Sequence, residues 1–578
     1  MKRQTPIMCV IGNPPYSGVS QNNGDWISRL IEDYKYIDGK HFGERKHWLQ
    51  DDYVKFIRMA EHTVGQNPSG GVLGFITNHG YLDNPTFRAM RWRLLKTFDS
   101  ISVLDLHGNA PKRERAPDGG PDKNVFDIQQ GVSVVIAVKH NTGKSTELAK
   151  VRRADFWGSR ESKYDRLHSF NMKSPDWVEL KPSAPFFMFA LDAGTDQDEY
   201  NLGIGIDELL PLNVTGIVTA RDSLVIDFDS PALNDKLERF RDKSKSDVQI
   251  RSAFFGTKKA GKYPAGDTRG WKLDAARQSI ANLSLTDDIR PILYRPFDIR
   301  QIYYRPDMVD WGRERYMRHL TDGTNLGLIY SRQAVAGEAG YNHVLVTPHM
   351  FDNRGFYSNK GISQIAPLYL YPGEDALDQT VRLNFNPKIY AAICKAAEIN
   401  PENQARPGDD FRAATGDTRP SEVKVFDYIY GVLHSPDYRA TYADALKIDF
   451  PRIPYPQSAE VFRHVSDKGE ALRRLHLMEA PAVGDTPYPY HGEGDDLVAT
   501  GYPKFSGGQV HINPDQYFDA VPQVAWGFSI GGYQPAQKWL KDRRGRTLSW
   551  DDIGHYQKII KILADTDKIM RKISVPII

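Results

Sequence analysis

The first part of the chain alternates short apolar runs with segments of helical pattern. Each run is continuous, as expected of a strand buried on both faces. The predicted strands are Ile7–Ile11, Gly71–Ile76, Ile101–Leu106 and Gly131–Val138. The segments Asp51–His62 and Phe87–Phe98 carry apolar residues at the spacing of one helix face. Strands that alternate with helices predict an α/β fold with a mostly parallel sheet.

The pattern changes at about residue 200, where the apolar runs become shorter and rich in Tyr, Arg, Pro and Gly. We therefore predict two domains, residues 1–200 and 201–578, the second of them a larger mixed α+β region. The composition of Asn400–Pro420 predicts an exposed loop in this second region. Its helical patterns lie at Ala232–Lys243, Val423–Leu433, Ser458–Leu477 and Asp551–Met570.

Composition narrows the functional classes. The chain has 578 residues, 40% of them hydrophobic and 26% charged, which is typical of a globular protein with ample core. Its two cysteines, Cys9 and Cys394, are too few for a disulfide framework or a Cys-rich zinc site, and they favour a reducing cytoplasm. No apolar run approaches the roughly 20 residues that span a bilayer. The net charge of +2 neither indicates nor excludes a nucleic-acid partner.

The sharpest chemical signal is the segment Asn13–Tyr16, which reads Asn-Pro-Pro-Tyr and directly follows the first predicted strand. Two consecutive prolines fix φ near about −65° and remove two backbone donors, so the loop presents carbonyl acceptors in a rigid geometry. Asn13 adds a side-chain acceptor and Tyr16 a flat ring. The alternative is a rigid turn without chemistry, because Asn-Pro pairs commonly start turns.

These residue types suit chemistry on the exocyclic amine of a nucleobase. Such an amine is a poor nucleophile because its lone pair is delocalised into the ring. Two acceptors on its hydrogens, the Asn13 amide oxygen and the Pro14 carbonyl, would draw the nitrogen toward a tetrahedral shape and free the lone pair. The base must first be flipped out of the duplex and stacked on an aromatic face, which Tyr16 would supply.

In the segment Asn13–Tyr16, the chain resembles the gamma-type amino-methyltransferases that methylate adenine N6 in DNA. Their catalytic loop is Asn/Asp-Pro-Pro-Tyr/Phe, found here at Asn13–Tyr16. Further along, Asp52–Phe56 resembles the helix near the cofactor's adenine, and Gly71–Asn78 resembles the next strand and its loop. Val125–Phe126 resembles the segment that packs against the flipped base. The resemblance implies a partial Rossmann-like methyltransferase sheet.

The resemblance also implies a role for individual residues. The catalytic loop consists of Asn13, Pro14, Pro15 and Tyr16, in which Asn13 and Pro14 hold the amine. Tyr16 and Phe126 enclose the base. The residues expected near S-adenosylmethionine, the methyl donor, are Phe56 and Tyr53.

Each assignment outside the catalytic loop has a structural alternative. Phe56 suits the apolar face of a helix, and Phe126 suits the first buried position of its strand. His79 is placed to act as a base, yet a single loop histidine is commonly a polar turn residue, and amine methylation needs no strong base. The sequence pattern predicts no metal site.

One element of the methyltransferase pattern is missing. The resemblance leads us to expect a Phe-x-Gly-x-Gly cofactor loop before the catalytic loop, and only twelve residues precede Asn13. We find no later strand followed by such a loop and a helix. We therefore expect the other half of the methyltransferase upstream in a longer polypeptide, or alternatively in a separate subunit.

The second region resembles the C-terminal specificity domain of the type ISP class, the single-polypeptide type I restriction–modification enzymes, and some of its phrases also resemble type IIG enzymes. This implies a target recognition domain for double-stranded DNA. It also implies upstream nuclease and helicase-like modules, and a bacterial or archaeal cytoplasm. The phrases that carry the resemblance are Tyr294–Arg300, Phe426–Pro436, Phe450–Pro454 and Trp526–Pro535.

Basic residues among aromatic ones mark candidate DNA contacts in this region, because lysine and arginine bind phosphates and arginine also reads guanine. A solvated charged face is the alternative for either cluster. The candidates are Arg295, Arg300, Lys538, Lys541, Arg543 and Arg544.

The sequence thus predicts site-specific methylation of adenine N6 in DNA. A DNA-binding module without turnover, and a methyltransferase acting on RNA or protein, remain as alternatives.

Overall fold

The structure is a computed structural model. It describes residues 6–575 apart from 17–19, 42–46, 111–113, 115, 142–146, 185, 191–194, 257–261, 334–339, 358–362, 374–376, 406–409, 444 and 448. The chain forms two compact units, Met1–Asn201 and Leu202–Ile578. Within the described residues, none of the helices combines the length and the apolar character that crossing a membrane requires.

The first unit is built from strands that alternate with helices. Its described strands are β1 (Cys9–Gly12), β2 (Tyr36–Ile37), β3 (Lys40–His41), β4 (Gly71–Asn78), β5 (Ser100–Asp105), β6 (Val132–Lys139), β7 (Lys150–Asp155) and β8 (Val178–Leu180). Its described helices are α1 (Asp25–Glu32), α2 (Asp52–Gly65), α3 (Arg88–Thr97), α4 (Arg160–Ser169) and α5 (Thr195–Leu202).

Among the described residues, six of these strands form a mixed sheet in the order β1-β4-β6-β5-β7-β8. The pairs β1 with β4 and β5 with β7 are parallel, whereas β6 runs antiparallel to both β4 and β5. The strands β1, β4, β5 and β7 therefore end at the same edge of the sheet, which we call the carboxyl edge. The predicted α/β class is confirmed, but the sheet is less parallel than the sequence pattern suggested, because β6 lies between β4 and β5.

The two faces of this sheet are covered differently. On one face, α2 and α3 pack against Leu73, Phe75, Ile101 and Val103 of β4 and β5. The other face has a smaller apolar cluster, which we call the second cluster; it includes Leu104, Leu106, Val125, Val132, Ala154 and Phe156.

β1 departs from the prediction of a buried strand. Among the described strands it lies at the end of the sheet and pairs only with β4, and Ile11 is 79% exposed. An apolar run alone does not distinguish a central strand from an edge strand, because both have the same sequence character.

The second unit has several small sheets and a helical core. Its described strands are β9 (Ile204–Gly205), β10 (Val214–Thr215), β11 (Ile226–Asp227), β12 (Ile289–Arg295), β13 (Asp298–Tyr303), β14 (Gly327–Tyr330), β15 (Val344–Thr347), β16 (Met350–Phe351), β17 (Gln364–Pro367), β18 (Tyr369–Leu370), β19 (Arg382–Leu383), β20 (Arg452–Ile453), β21 (Tyr490–His491), β22 (Lys504–Ser506), β23 (Gln509–His511) and β24 (Tyr517–Phe518).

The helices of this unit confirm the four predicted helical segments. They are α6 (Ile206–Leu209), α7 (Asp222–Val225), α8 (Ser230–Arg241), α9 (Asp247–Phe255), α10 (Leu273–Ser279), α11 (Glu314–Met317), α12 (Pro387–Ala396), α13 (Ser421–His434), α14 (Pro436–Thr441), α15 (Ala459–His476), α16 (Ala480–Val483), α17 (Gln523–Gly527), α18 (Pro535–Lys541) and α19 (Trp550–Met570). The described part of Asn400–Pro420 contains no α-helix or strand, although Phe411 and Arg419 within it are buried.

The helices α13 and α15 approach each other closely. A Cβ atom at Gly469 would lie 1.8 Å from the carbonyl oxygen of Asp427, so only glycine fits this crossing. The buried carboxylate of Asp427 accepts hydrogen bonds from Arg473 at 2.6 Å and from Arg419 at 2.8 Å. Both arginines are buried as well, so this charge is paired and hydrogen-bonded as an interior charge must be.

Candidate functional site

The segment Asn13–Tyr16 follows β1 at the carboxyl edge of the sheet. Gly12, the last residue of β1, pairs with Phe75 of β4, so the segment lies beside the end of β4. Asn13 and Pro15 are exposed, whereas Pro14 is buried. This is the edge at which open α/β sheets bind their ligands.

Tyr16 orients the side chain of Asn13. Its hydroxyl group donates to the Oδ1 atom of Asn13 at 2.9 Å and also lies 3.3 Å from the carbonyl oxygen of Ile76. Burial raises the pKa of Tyr16 to about 12, so the phenol keeps the proton that it donates. Because an amide oxygen has two lone pairs, Oδ1 retains one for a further donor.

The side chain of Phe126 is partly buried against the second cluster, and Ile76 packs against the same cluster. The backbone N–H of Phe126 donates to the Oδ1 atom of Asn124 at 2.8 Å, which fixes the turn before β6. Tyr16 itself packs against the apolar cluster under α2 and α3, whereas Phe126 packs against the second cluster on the other face of the sheet.

The two aromatic residues expected at the cofactor differ in exposure. Phe56 is 37% exposed on α2. Tyr53, one turn earlier, is only 2% exposed and packs against the rings of Tyr81 and Phe87 at centroid distances of 6.5 and 6.2 Å. Of the two, only Phe56 offers surface to a ligand, and Tyr53 belongs to the core under α2.

His79 is buried, with 3% of its surface exposed, and is not a solvated turn residue. Its Nδ1 atom lies 3.1 Å from the Oδ1 atom of Asp105, the last residue of β5. Burial alone would raise the pKa of Asp105, but His79, His107 and Arg153 together hold it well below its usual range. Because an ionised carboxylate only accepts, Nδ1 of His79 carries the proton and donates it. The Nε2 atom of His79 then accepts from the side-chain amide of Asn109 at 3.0 Å.

His107 is the second buried histidine at this edge, with 5% exposure. Its Nε2 atom donates to the Oδ1 atom of Asp155 at 2.7 Å, and its ring stacks on Trp157 with centroids 3.3 Å apart. Its Nδ1 atom has no hydrogen-bond partner and lies 3.8 Å from the Oε1 atom of Glu114. Burial alone would lower the pKa of His107, yet the carboxylates of Asp155, Glu114 and Asp105 raise it to about 9.

The register between β5 and β7 explains why the carboxylates beside His79 and His107 lie close together. Asp105 and Asp155 are direct partners at the ends of the parallel strands β5 and β7. Arg153 bridges them, with its Nη2 atom 2.8 Å from Asp105 and 2.6 Å from Asp155. Sequence reasoning missed Asp105, His107 and Asp155. The available signal was an acidic residue at the ends of two strands, but β7 was not predicted as a strand.

Three of the six predicted DNA contacts pair with carboxylates of the second unit. Arg295 is 8% exposed and pairs with Asp352 at 3.0 Å. Arg300 and Arg543 both pair with the buried carboxylate of Asp298, at 2.8 and 2.9 Å. These guanidinium groups already have carboxylate partners, so the structure gives them a role in packing.

The other three lie in or just after α18. Lys538 is partly buried and pairs with Asp542. Lys541 and Arg544 are exposed. The turn before this helix requires glycine, because a Cβ atom at Gly531, where φ is +57°, would lie 2.0 Å from the ring of Phe356.

Two family models match the chain. Residues 208–572 match the type ISP C-terminal specificity domain, and residues 7–111 match the Eco57I restriction-modification methylase. No curated protein matches the chain.

Solved structures of DNA complexes share the fold. Over 98% of its length, the chain is similar to a structure described as a DrdV–DNA complex, with 21% sequence identity and a TM-score of 0.61. The match covers 57% of that chain. It is similar over 99% of its length to the ATP-dependent type ISP restriction-modification enzyme LlaBIII bound to DNA, with 18% identity, a TM-score of 0.62 and 37% of that chain covered.

A nuclease-deletion mutant of the type ISP enzyme LlaGI, in complex with a DNA substrate mimic, gives 18% identity and a TM-score of 0.59 over 99% of this chain and 53% of that one. At these identities the likeness establishes the fold. The chain spans between 37% and 57% of the length of these three chains.

Proposed function

The chain belongs to the family of the type ISP C-terminal specificity domain, and from this membership we propose that it methylates adenine N6 at a specific DNA sequence as part of a restriction–modification enzyme. Residues 1–200 would carry the methyltransferase half with the catalytic loop, and residues 201–578 the target recognition domain. The match of residues 7–111 to an Eco57I-type methylase supports the first assignment. The match of residues 208–572 supports the second.

The observation that carries this proposal is the exposed amide of Asn13 at the carboxyl edge, held by the hydroxyl of Tyr16. With one lone pair of Oδ1 occupied by Tyr16, the other is available to an N6 hydrogen of adenine. We assign the second hydrogen to the carbonyl oxygen of Pro14, in the rigid backbone of Pro14 and Pro15. An amine held by two acceptors regains lone-pair character on nitrogen.

The flipped adenine would lie on the Tyr16 ring, with Phe126 on its other side. S-adenosylmethionine, when bound, supplies an electrophilic methyl group: the amine lone pair forms the C–N bond as the C–S bond breaks, and the cationic amine then releases a proton to solvent. Phe56 fits the donor, because its exposed ring on α2 can pack against the adenine of S-adenosylmethionine. Tyr53 would support this helix from the core.

Lys541 and Arg544 are the exposed basic groups that we assign to DNA phosphates. Both follow the tight turn at Gly531 and lie in or just after α18. Their contacts would position the duplex without reading its sequence.

The experiment is methyl transfer by the full-length protein carrying Asn13→Ala. We expect methylation of the target DNA to fall at least 100-fold, since one of two acceptors on the amine is lost, while DNA affinity stays within about twofold. Asn171→Ala, at an exposed asparagine of the same unit, is the matched control. Full activity of Asn13→Ala would refute the assignment of the catalytic loop.

A DNA-binding module without turnover is the second candidate, because the cofactor glycine loop is absent from the sequence. Calorimetry of this chain with S-adenosylmethionine separates the two. Micromolar binding would exclude a purely non-catalytic module. No binding, together with tight binding of target DNA, would favour it.

A further inference from the structure

We propose that the carboxyl edge of the first unit contains a transition-metal site, suited to Zn²⁺, formed by Nε2 of His79, Nδ1 of His107 and Oε1 of Glu114. The three atoms lie within 4.8 Å of one another. The proposal rests on no part of the assigned methylation chemistry.

The spacing of the three atoms suits a metal. Oε1 of Glu114 lies 3.9 Å from Nε2 of His79 and 3.8 Å from Nδ1 of His107. Tetrahedral zinc with bonds of about 2.0–2.1 Å separates its ligand atoms by about 3.4 Å. The two distances to Oε1 thus exceed the tetrahedral separation by about half an ångström, and all three atoms lie within 4.8 Å of one another. Two histidines and one glutamate leave a fourth position for water.

Each ligand is oriented by a second partner, as in known zinc sites. His79 gives its Nδ1 proton to Asp105 at 3.1 Å, and His107 gives its Nε2 proton to Asp155 at 2.7 Å. The opposite nitrogen of each ring therefore faces the site. The second oxygen of Glu114, Oε2, accepts from the backbone N–H of Asn109 at 2.8 Å, which leaves Oε1 directed at the histidines.

The unpartnered nitrogen of His107 is an independent indication. Its Nδ1 atom is buried and forms no hydrogen bond, and the nearest acceptors, the carboxylate oxygens of Asp105 and Glu114, lie 3.7 and 3.8 Å away. A metal ion would take this nitrogen as a ligand. Metal binding would displace the proton from Nδ1 of His107. It would also replace the hydrogen bond that the side-chain amide of Asn109 donates to Nε2 of His79, so this amide would have to turn away.

The ion would join two parts of the first unit that are distant in sequence. His79 directly follows β4, whereas His107 and Glu114 belong to the connection between β5 and β6, which also carries Phe126. The position of His79 is in turn fixed by Gly131, where a Cβ atom would lie 2.3 Å from its ring. Loss of the metal would loosen the β5–β6 connection from the end of β4.

The test is elemental analysis of the full chain, purified without chelator and then dialysed. We expect about one zinc ion per chain, and less than a tenth of that in His79→Gln and in Glu114→Gln. His168→Gln, at an exposed histidine on α4, should keep the full content. Asp155→Asn, which removes the carboxylate that orients His107 and also pairs with Arg153, should weaken zinc binding about 10- to 100-fold.

Two further measurements keep the result clear if a variant fails to fold. The first is the Tm of the wild-type chain, which should fall after chelation and recover with added Zn²⁺ but not Mg²⁺. The second is loading of the wild-type chain with Co²⁺, which should give the intense visible absorption of a four-coordinate site. Wild-type protein with zinc well below one ion per chain, unchanged Tm on chelation and no cobalt spectrum would overturn the proposal.

Discussion

Replacing Tyr16 by phenylalanine separates the two tasks that the structure suggests for this residue. The substitution keeps the ring on which the base would stack and removes only the hydroxyl that donates to Asn13 at 2.9 Å. The hydrogen bond is exposed and joins neutral groups, so its net contribution is about 0.5–1.5 kcal/mol. If that energy orients Asn13 in the transition state, kcat should fall about two- to tenfold.

Tyr16→Ala removes the ring as well. Stacking of a base on an aromatic side chain contributes about 1–3 kcal/mol, so we expect Tyr16→Ala to lose at least a further fivefold in methylation. The affinity for the flipped adenine should depend on the ring of Tyr16 and not on its hydroxyl group. It should stay near wild-type in Tyr16→Phe and fall in Tyr16→Ala.

The assay is single-turnover methyl transfer to target DNA by the full-length protein, with 2-aminopurine at the target position as a fluorescent reporter of base flipping. Tyr16→Phe with unchanged kcat would show that the hydroxyl does not orient Asn13. Equal fluorescence in Tyr16→Phe, Tyr16→Ala and the wild type would show that the ring does not stack on the base. Either result would refute the corresponding part of the reasoning.

Three other predictions address the second unit. Replacing both Lys541 and Arg544 by alanine should reduce the slope of log DNA affinity against log salt concentration by about 0.9 per lost phosphate contact. The slope is measured by DNA titration at several salt concentrations. The control Lys245→Ala, at an exposed lysine, should leave it unchanged. Gly469→Ala should lower the free energy of unfolding in urea by about 1–3 kcal/mol, because its Cβ would lie 1.8 Å from a carbonyl oxygen. The control Gly554→Ala, whose Cβ would have no atom within 4 Å, should be neutral or stabilising. Equal effects of the two substitutions would contradict the close crossing of α13 and α15. Burial lowers the pKa of His476 from 6.5 to about 3, so below pH 6.5 the unfolded chain binds a proton that the folded chain does not. The Tm should therefore fall as the pH drops from 6.5 toward 3. His476→Gln should flatten this dependence of Tm on pH, and an unchanged profile in the variant would contradict the reasoning.

Local signals in the sequence were sufficient for elements whose character is contained in adjacent residues. The turn at Asn13–Tyr16 was recognised because two prolines after an apolar run determine the backbone by themselves. The helix α19 was recognised because its apolar spacing extends over several turns. The order of strands was not readable, since the placement of β6 between β4 and β5 depends on packing between segments far apart in the chain.

Pairing of charges over long sequence distances could not be predicted. Arg543 was predicted to contact DNA because basic residues surround it in sequence, and its partner Asp298 lies 245 residues earlier. His79 was taken as a solitary histidine because its partner Asp105 lies 26 residues away at the end of another strand. Without an expectation of which strand ends meet, neither pairing could be inferred from residue types alone.

The placement of β1 has a practical consequence for handling the protein. In the described residues, its peptide groups on the side away from β4 have no strand to bond with, and Cys9 and Ile11 beside them are exposed. A bare strand flank of this kind templates pairing with other polypeptides. Concentrated preparations of this chain should therefore self-associate through this flank, and a lysine at Ile11 would be the change that keeps them dispersed.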